Sequence, residues 1–440
     1  MQFSINHTDK AEDHSKNEEI PSKRRNITDS DIKEINVADD MDNKNSKLND
    51  LEVEKITKEK SRTLFESFEA HTGIKLKNIE TEDSFLPIVN RNCENILGYF
   101  KIPIGITKQP IKINNFHFHL PIATTEGCLV ASVNRGIKLT NALGGIKGYV
   151  ENVGITRSFS LKFNSFDDCV KCYKWLKLET VQDELIAIGN ATSDYLKIKT
   201  IESKHVIGLQ LFVKIYAFTG DAMGMNMITK ACQQISNLIC NNFDCKLISI
   251  SANICTDKKW SVENYCNSRG RRVFLNIEIT EELCLKILKI SIHNLYEVYK
   301  SKICLGSALV LGNFNCQAAN YISSIFIALG QDVAQCIESS NCLIYMDLIG
   351  EKLNVSLWMP SIVCGTIGGG THLSPQNEFL QQFYKEDTEF IITDKSLDKS
   401  VAPSYLALAI ASAVLCGELS CMAALADNTL VDSHMRLNRK

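Results

Sequence analysis

The chain has 440 residues, with 45% hydrophobic and 22% charged side chains and a formal charge of -3 at pH 7. That length allows two or three domains with ample core, and the near-neutral charge gives no reason to expect nucleic acid or an acidic membrane surface as partner. The 17 cysteines are scattered, odd in number and preceded by no secretory signal, which reads as a reduced intracellular protein with buried thiols. Cys169-Val-Lys-Cys172 has no second pair at zinc-finger spacing, so no metal site is expected.

Residues 1–60 are dense in Asp, Glu, Lys and Arg and hold no Trp or Tyr. They cannot bury enough surface to offset ordering entropy and read as a disordered charged tail. Residues 61–93 read as a small helical segment, ordered from near Leu64, then a loop towards Pro87. Ile96 to Gly105 is strand-like and Ile111 to Leu120 alternates in part. Pro121 then leads into Ile122 to Ser132, the entry to a packed helix with one carboxylate, Glu126, as either a boundary residue or a buried acid. No uninterrupted apolar run reaches the roughly 18 residues of a membrane span. The nearest stretch, Tyr405 to Leu425, contains Glu418 and reads as a buried helix, so a soluble, cytoplasmic protein is expected.

The segment 158–249 has its own pattern: strand Ser160 to Phe163, helix Phe166 to Ile188, strands Tyr195 to Ile201 and Val206 to Phe218, helix Met225 to Asn241, and strand Lys246 to Ser251. The order βαββαβ predicts a ferredoxin-like unit inserted into a larger mixed domain, 94–157 and 262–440, with 250–261 as connecting loop. The fold class expected is therefore α+β. Beyond Trp260 come an extended run Val273 to Thr280, a helix Glu281 to Tyr299 and an apolar run Asn320 to Leu329. Further on lie strands Cys342 to Met346 and Val355 to Met359, the loop Gly365 to Thr371, and a long helix from Ser404 that leads to His434.

Four titratable residues sit in small, apolar or glycine-bearing settings: Glu126, Lys258, Asp332 and His434. Singly they read as helix caps, a solvated turn and a terminal histidine. Together they are the parts for reducing a carbonyl, with an ammonium where negative charge develops on oxygen and acids to protonate leaving groups. Neither Gly144 to Gly148 nor Gly365 to Gly370 is a G-x-G-x-x-G set after a strand, so a Rossmann site is not supported. Gly220 to Met227 opens a helix whose amides could meet an anion.

Several blocks, in order, resemble the 3-hydroxy-3-methylglutaryl-coenzyme A reductase family, in its class I catalytic portion. They are Glu94 to Tyr99, Ala123 to Gly136, Thr219 to Met227, Asn253 to Lys259, Gly330 to Gln335, Ser339 to Cys342, Gly365 to Thr371 and Gly417 to Ser420. The resemblance implies a four-electron reduction of hydroxymethylglutaryl-CoA to mevalonate and CoA with two NADPH, for isoprenoid and sterol synthesis, in a homodimer or tetramer whose active site is shared between subunits. It implies that Lys258, tuned by Asp332, holds the reacting oxygen. Glu126 would protonate at the aldehyde level, and His434, on a closing flap, would protonate the CoA thiolate. It assigns Arg157, Ser251, Asn253, Asp257, Lys259, Lys302 and Asn320 to the hydroxymethylglutaryl group, and Ser132, Asn134, Arg135, Gly136 and Lys138 to CoA. Ser193, Asp221, Ala222, Met223, Gly224, Met225, Asn226, Gly365, Thr366, Gly368 and Gly369 would hold NADPH.

The chain departs from the family pattern in four places. A charged tail stands where many relatives carry a membrane anchor. Ser193 is followed by Asp194 where an arginine often meets the cofactor's 2′-phosphate, which leaves an NADH-preferring or oxidative enzyme as the alternative. The approach to Asn320 is shortened, with Gln317 in place of a usual histidine. No serine follows His434, so no inhibitory phosphorylation is expected there. A third reading, an inactive binding or dimerisation module, conflicts with the four catalytic residue types being present.

Overall fold

The computed structural model describes residues 49–76, 79–89, 91–385, 388–392, 398 and 400–427. His434 and its expected flap lie outside the described residues, as does the stretch 1–48. The chain forms two compact units.

The first unit is built on helix α1, Asp50–Thr72. The Asn49 side chain accepts from the Glu52 amide while the Glu52 carboxylate accepts from the Asn49 amide, and Gly73 at φ 71° ends the helix. This corrects the expected disordered tail to residue 60 and the start of order near Leu64. Composition argued against a buried core, yet Glu54–Lys58 and Arg62–Glu66 pairs at i,i+4 support a helix with little apolar face.

The second unit opens with short strands β1 (Ile104–Ile106), β2 (Ile111–Ile113), β3 (Phe116–Phe118) and β4 (Pro121–Ala123), pairing β1–β4 and β2–β3. The strand expected from Ile96 begins only at Ile104, just after Pro103, which has no N–H to give a ladder. Helix α2, Leu129–Ala142, follows.

Strand β5, Lys147–Phe163, is far longer than the expected Ser160 to Phe163 and joins two lobes. Its first half pairs with β9 (Gly270–Thr280) and, in parallel, β12 (Ile391–Ile392); its second half pairs with β7 (Gln210–Phe218) and β8 (Cys245–Ser249). Between the halves Gly154 sits at φ +92°, where a Cβ would come within 3.0 Å of the Ala217 carbonyl, so only glycine lets the strand change partners there. In the second lobe the lateral order is β8-β5-β7-β6, with β6 at Lys197–Ile207. Helices α3 (Phe166–Trp175), α4 (Glu179–Asn190) and α5 (Met225–Asn242) pack with these strands around one core. The single helix expected over Phe166 to Ile188 is thus two.

The other lobe carries β9, β10 (Leu343–Ile349) and β11 (Lys352–Ile362), helix α6 (Ala318–Ala328) and helix α7 (Ala402–Ala426). The helix expected over Glu281 to Tyr299 is interrupted at Lys289, φ 67°, and Ser291 caps a new start. Helix α7 is long and apolar enough to cross a membrane, but its most apolar window is wholly buried inside the fold. At Gly136 on α2 a Cβ would lie 2.0 Å from the Cys416 carbonyl oxygen of α7, so the two helices touch backbone to backbone.

Candidate active site

The loop after β8 turns on three non-glycine residues with left-handed backbone: Asn253 (φ 62°), Thr256 (φ 60°) and Lys258 (φ 57°). Each costs of order 1–3 kcal/mol and persists only when its surroundings over-determine it. Here they do. The Ala252 amide donates to the Ser158 carbonyl (3.1 Å), and the Cys255 amide donates to the Ser158 hydroxyl (3.2 Å). Thr156 and Thr256 hydroxyls both donate to the Cys255 carbonyl at 2.7 Å.

Lys258 Nζ lies 2.8 Å from Asp332 Oδ2. That hydrogen bond, ahead of all other influences, raises the lysine's pKa, so the ammonium persists across neutral pH. Asp332 is held by the Ala334 amide at 3.1 Å, as the cap of a short turn after α6. Beneath the pair lies fully buried Arg269, just ahead of β9, which donates to Asp257 (3.0 Å), Gln335 (3.1 Å) and Thr156 (3.0 Å) and pairs with Glu338. Asp257 also pairs with Arg157 (3.3 Å) and accepts from Gln335 (2.9 Å). The Lys258 amide donates to Glu338 Oε1 at 3.0 Å. Burial pushes the Glu338 carboxyl up to about 7, against the pull of Arg269.

A second cluster forms where α6 begins. Asn320 donates to Gln317 Oε1 (3.2 Å) and lies 3.4 Å from Glu126 Oε1. Glu126 is exposed, which settles its setting as a boundary residue rather than a buried acid. The buried acid is Glu418, on α7, which accepts from the Cys316 (2.6 Å) and Gln317 (2.8 Å) amides. Burial raises its pKa, and the charge of exposed Lys302 partly opposes the shift. The two clusters sit at opposite ends of α6, an 11-residue helix roughly 16 Å long.

The CoA-assigned residues line α2. Arg135 donates to the Ser420 hydroxyl (2.9 Å) and also to its carbonyl, Asn134 accepts from the Lys108 amide (2.6 Å), and Lys138 is exposed. Ser132 is half-buried, and Gly136 is committed to the helix contact. In the connecting loop the Ser251 carbonyl accepts from Ser249, while Lys259 is exposed and donates to the Asp257 carbonyl (3.3 Å).

The residues assigned to the nucleotide also meet. The Thr366 amide donates to the Asp221 carbonyl at 2.8 Å, and a Cβ on Gly365 would lie 2.3 Å from Met223 N. Gly224 (φ 88°) precedes Met225 and Asn226 at the start of α5. Gly368 and Gly369 have positive φ with open space beside them. One Asp221 oxygen is buried without a hydrogen-bond partner, and burial raises its pKa. Ser193, next to exposed Asp194, lies with its hydroxyl 3.4 Å from Met227 Sδ on α5.

Arg269, Glu338 and Glu418 were not singled out from sequence. Glu338 and Glu418 each stand as a lone charge among small or apolar neighbours, the criterion that selected Glu126, whereas Arg269, in the run Arg269-Gly270-Arg271-Arg272, carries no such signal.

The family model for hydroxymethylglutaryl-coenzyme A reductase matches residues 57–439. The chain is 39% identical over 353 residues to a 3-hydroxy-3-methylglutaryl-coenzyme A reductase of Cyberlindnera jadinii, covering 79% of this chain and 37% of that protein. It is 38% identical over 373 residues to reductase 1 of Cannabis sativa, covering 83% of this chain and 62% of that protein. It thus spans less than two thirds of these relatives. In fold it is similar to a class II reductase from Streptococcus pneumoniae, solved bound to NADPH, with a TM-score of 0.58 at 18% identity, over 76% of this chain and 87% of that one. The chain belongs to the hydroxymethylglutaryl-coenzyme A reductase family.

Proposed function

We propose that the chain catalyses the four-electron reduction of hydroxymethylglutaryl-CoA to mevalonate and CoA with NADPH. The observation that carries this reading is the Lys258–Asp332 pair, 2.8 Å apart on a strained loop that buried charges hold in place. NADPH, when bound, supplies a hydride at each of two steps. A fixed ammonium beside the reacting oxygen stabilises the charge that develops on it both when the thioester and when the aldehyde is reduced. Because Asp332 keeps Lys258 protonated, the lysine is a poor proton donor, and protons must come from elsewhere. Exposed Glu126 suits the aldehyde-level oxygen, and His434 the departing thiolate.

For NADPH, the meeting of the Asp221 and Gly365 loops, the uncapped start of α5 and the space beside Gly368 and Gly369 support a nucleotide site. The order β8-β5-β7-β6 supports reading that lobe as a ferredoxin-like, cofactor-binding insertion. Lys258 and Glu126 must reach one carbonyl, yet they stand at opposite ends of α6. That separation supports a homodimer in which each site takes Lys258 from one copy and Glu126 from the other.

The test is nucleotide oxidation with and without hydroxymethylglutaryl-CoA, comparing wild type with Lys258→Ala. Substrate-dependent oxidation lost in the variant is expected; none from folded wild type would end the reading. Exposed Asp194 beside Ser193 favours a second reading, NADH preference, since a carboxylate repels a 2′-phosphate. Asp194→Arg is expected to raise the NADPH:NADH ratio of kcat/KM, and no change would remove Asp194 from cofactor choice.

A further inference from the structure

Glu338, in the turn Cys336–Ser339, is fully buried yet lies next to the loop that carries Lys258. Its Oε1 accepts from the Lys258 amide at 3.0 Å and from the Arg269 guanidinium. Its Oε2 is buried without a hydrogen-bond partner. A carboxylate half of which is orphaned is costly unless its charge is used. Arg269 links the same carboxylate to Asp257, the residue before Lys258.

We propose that Glu338 is a positioning residue: ionised, it clamps the left-handed backbone of Lys258 and the Arg269–Asp257 pair, and a proton on its orphaned oxygen loosens that clamp. This rests on the proposed reductase reading. The groups facing Glu338 are Arg269, Lys258 and Asp257, with Asp332 and Cys336 on its own segment. Helix α6, which packs against the turn, has no charged side chain. On β11, which also packs there, Lys352 is the charged residue, at the far end and paired with Glu278. The carboxyl's shift to about 7 puts its change of charge in the physiological range. Protonated on Oε2, the group matches a glutamine, because Oε1 still accepts from Lys258 while the charge is gone.

The test compares the pH dependence of kcat and KM in wild type and Glu338→Gln. At the alkaline end kcat of the variant is expected to be lower by about tenfold, since a charge-assisted hydrogen bond is roughly twice as strong as a neutral one, with KM for the nucleotide unchanged. Towards acid the two profiles are expected to converge. A constant ratio at every pH, or a change confined to KM, would overturn the proposal. A second readout needs no turnover: trinitrobenzenesulfonate labelling of the Lys258 amine, read by peptide mass. Faster labelling in Glu338→Gln is expected, because lost negative charge lowers the lysine's pKa; equal rates would overturn it. If wild type reduces nothing, the reductase reading fails and the labelling still decides Glu338. Should the glutamine variant not fold, Glu338→Asp keeps the charge but draws the oxygen away from the Lys258 amide. Reduced kcat or faster labelling is then expected, and wild-type values in both would overturn the proposal.

Discussion

The two ends of helix α6 solve different problems. At its C-terminal end Lys258 and Asp332 rest on a buried layer of Arg269, Asp257, Gln335 and Glu338, and three left-handed residues fix the loop. At its N-terminal end Glu126 is exposed, with its carboxylate 3.4 Å from Asn320, while the buried acid, Glu418, ties down backbone amides behind it. An electrostatic stabiliser must be in place before charge develops, since reorganising during reaction costs the barrier what the charge would gain. A proton donor must exchange with water between turnovers. Under the roles proposed for Lys258 and Glu126, rigidity and exposure are divided between the two ends.

Variants can break this contrast, the largest effect coming from the buried layer. Arg269→Met leaves Glu338 and Asp257 without their shared cation, and a loss of about 3–5 kcal/mol is expected in denaturant unfolding. A change below about 1 kcal/mol would mean the layer is not a support. Lys258→Ala, at the surface of that layer, is expected to lower kcat by about 100- to 1000-fold with little change in unfolding midpoint. Asp332→Asn removes the partner that raises the lysine's pKa. A raised lysine pKa keeps the ammonium to higher pH, so the alkaline limb of kcat is expected at lower pH in the variant, with about a tenfold loss near neutrality. An unmoved limb would show that Lys258 does not set it. The smallest effect belongs to the exposed end: Glu126→Gln is expected to leave stability within about 0.5 kcal/mol while impairing turnover.

Much of this was legible in the residues. The extended run of β9 and the apolar length of α7 are local signals, and those elements fall close to where they were expected. Strand β6 instead runs past its expected end at Ile201 to take in Val206 and Ile207, so β7 begins only at Gln210. Only the later part of helix α1 was legible, from near Leu64; its first turns, from Asp50, were assigned to a disordered tail because their stability comes from capping and side-chain pairs rather than an apolar face. The full length of β5 was hidden by its glycines, of which Gly154 marks a change of partner that only a folded sheet reveals. Within the site, Lys258 and Asp332 are 74 positions apart in sequence and were paired only through the family pattern; the structure supplies the 2.8 Å contact. Glu338 carries the same sequence signal as Glu126, but whether such a charge is buried depends on packing from distant segments, and Arg269, beside Arg271 and Arg272, carries no such signal. The same ignorance made Glu126 a candidate for burial when it is exposed.

In the proposed reaction Lys258 and Glu126 reach one substrate from different copies of the chain. The direct measurement is to mix Lys258→Ala and Glu126→Gln chains, each expected to turn over far more slowly than wild type, by co-expression or by unfolding and refolding together. In a twofold dimer the mixed species rebuilds one intact site, so about a quarter of wild-type activity is expected from equal random mixing. If the mixture stays as inactive as its parents while mixed dimers are shown to form, both residues belong to one chain's site and the shared-site account is wrong.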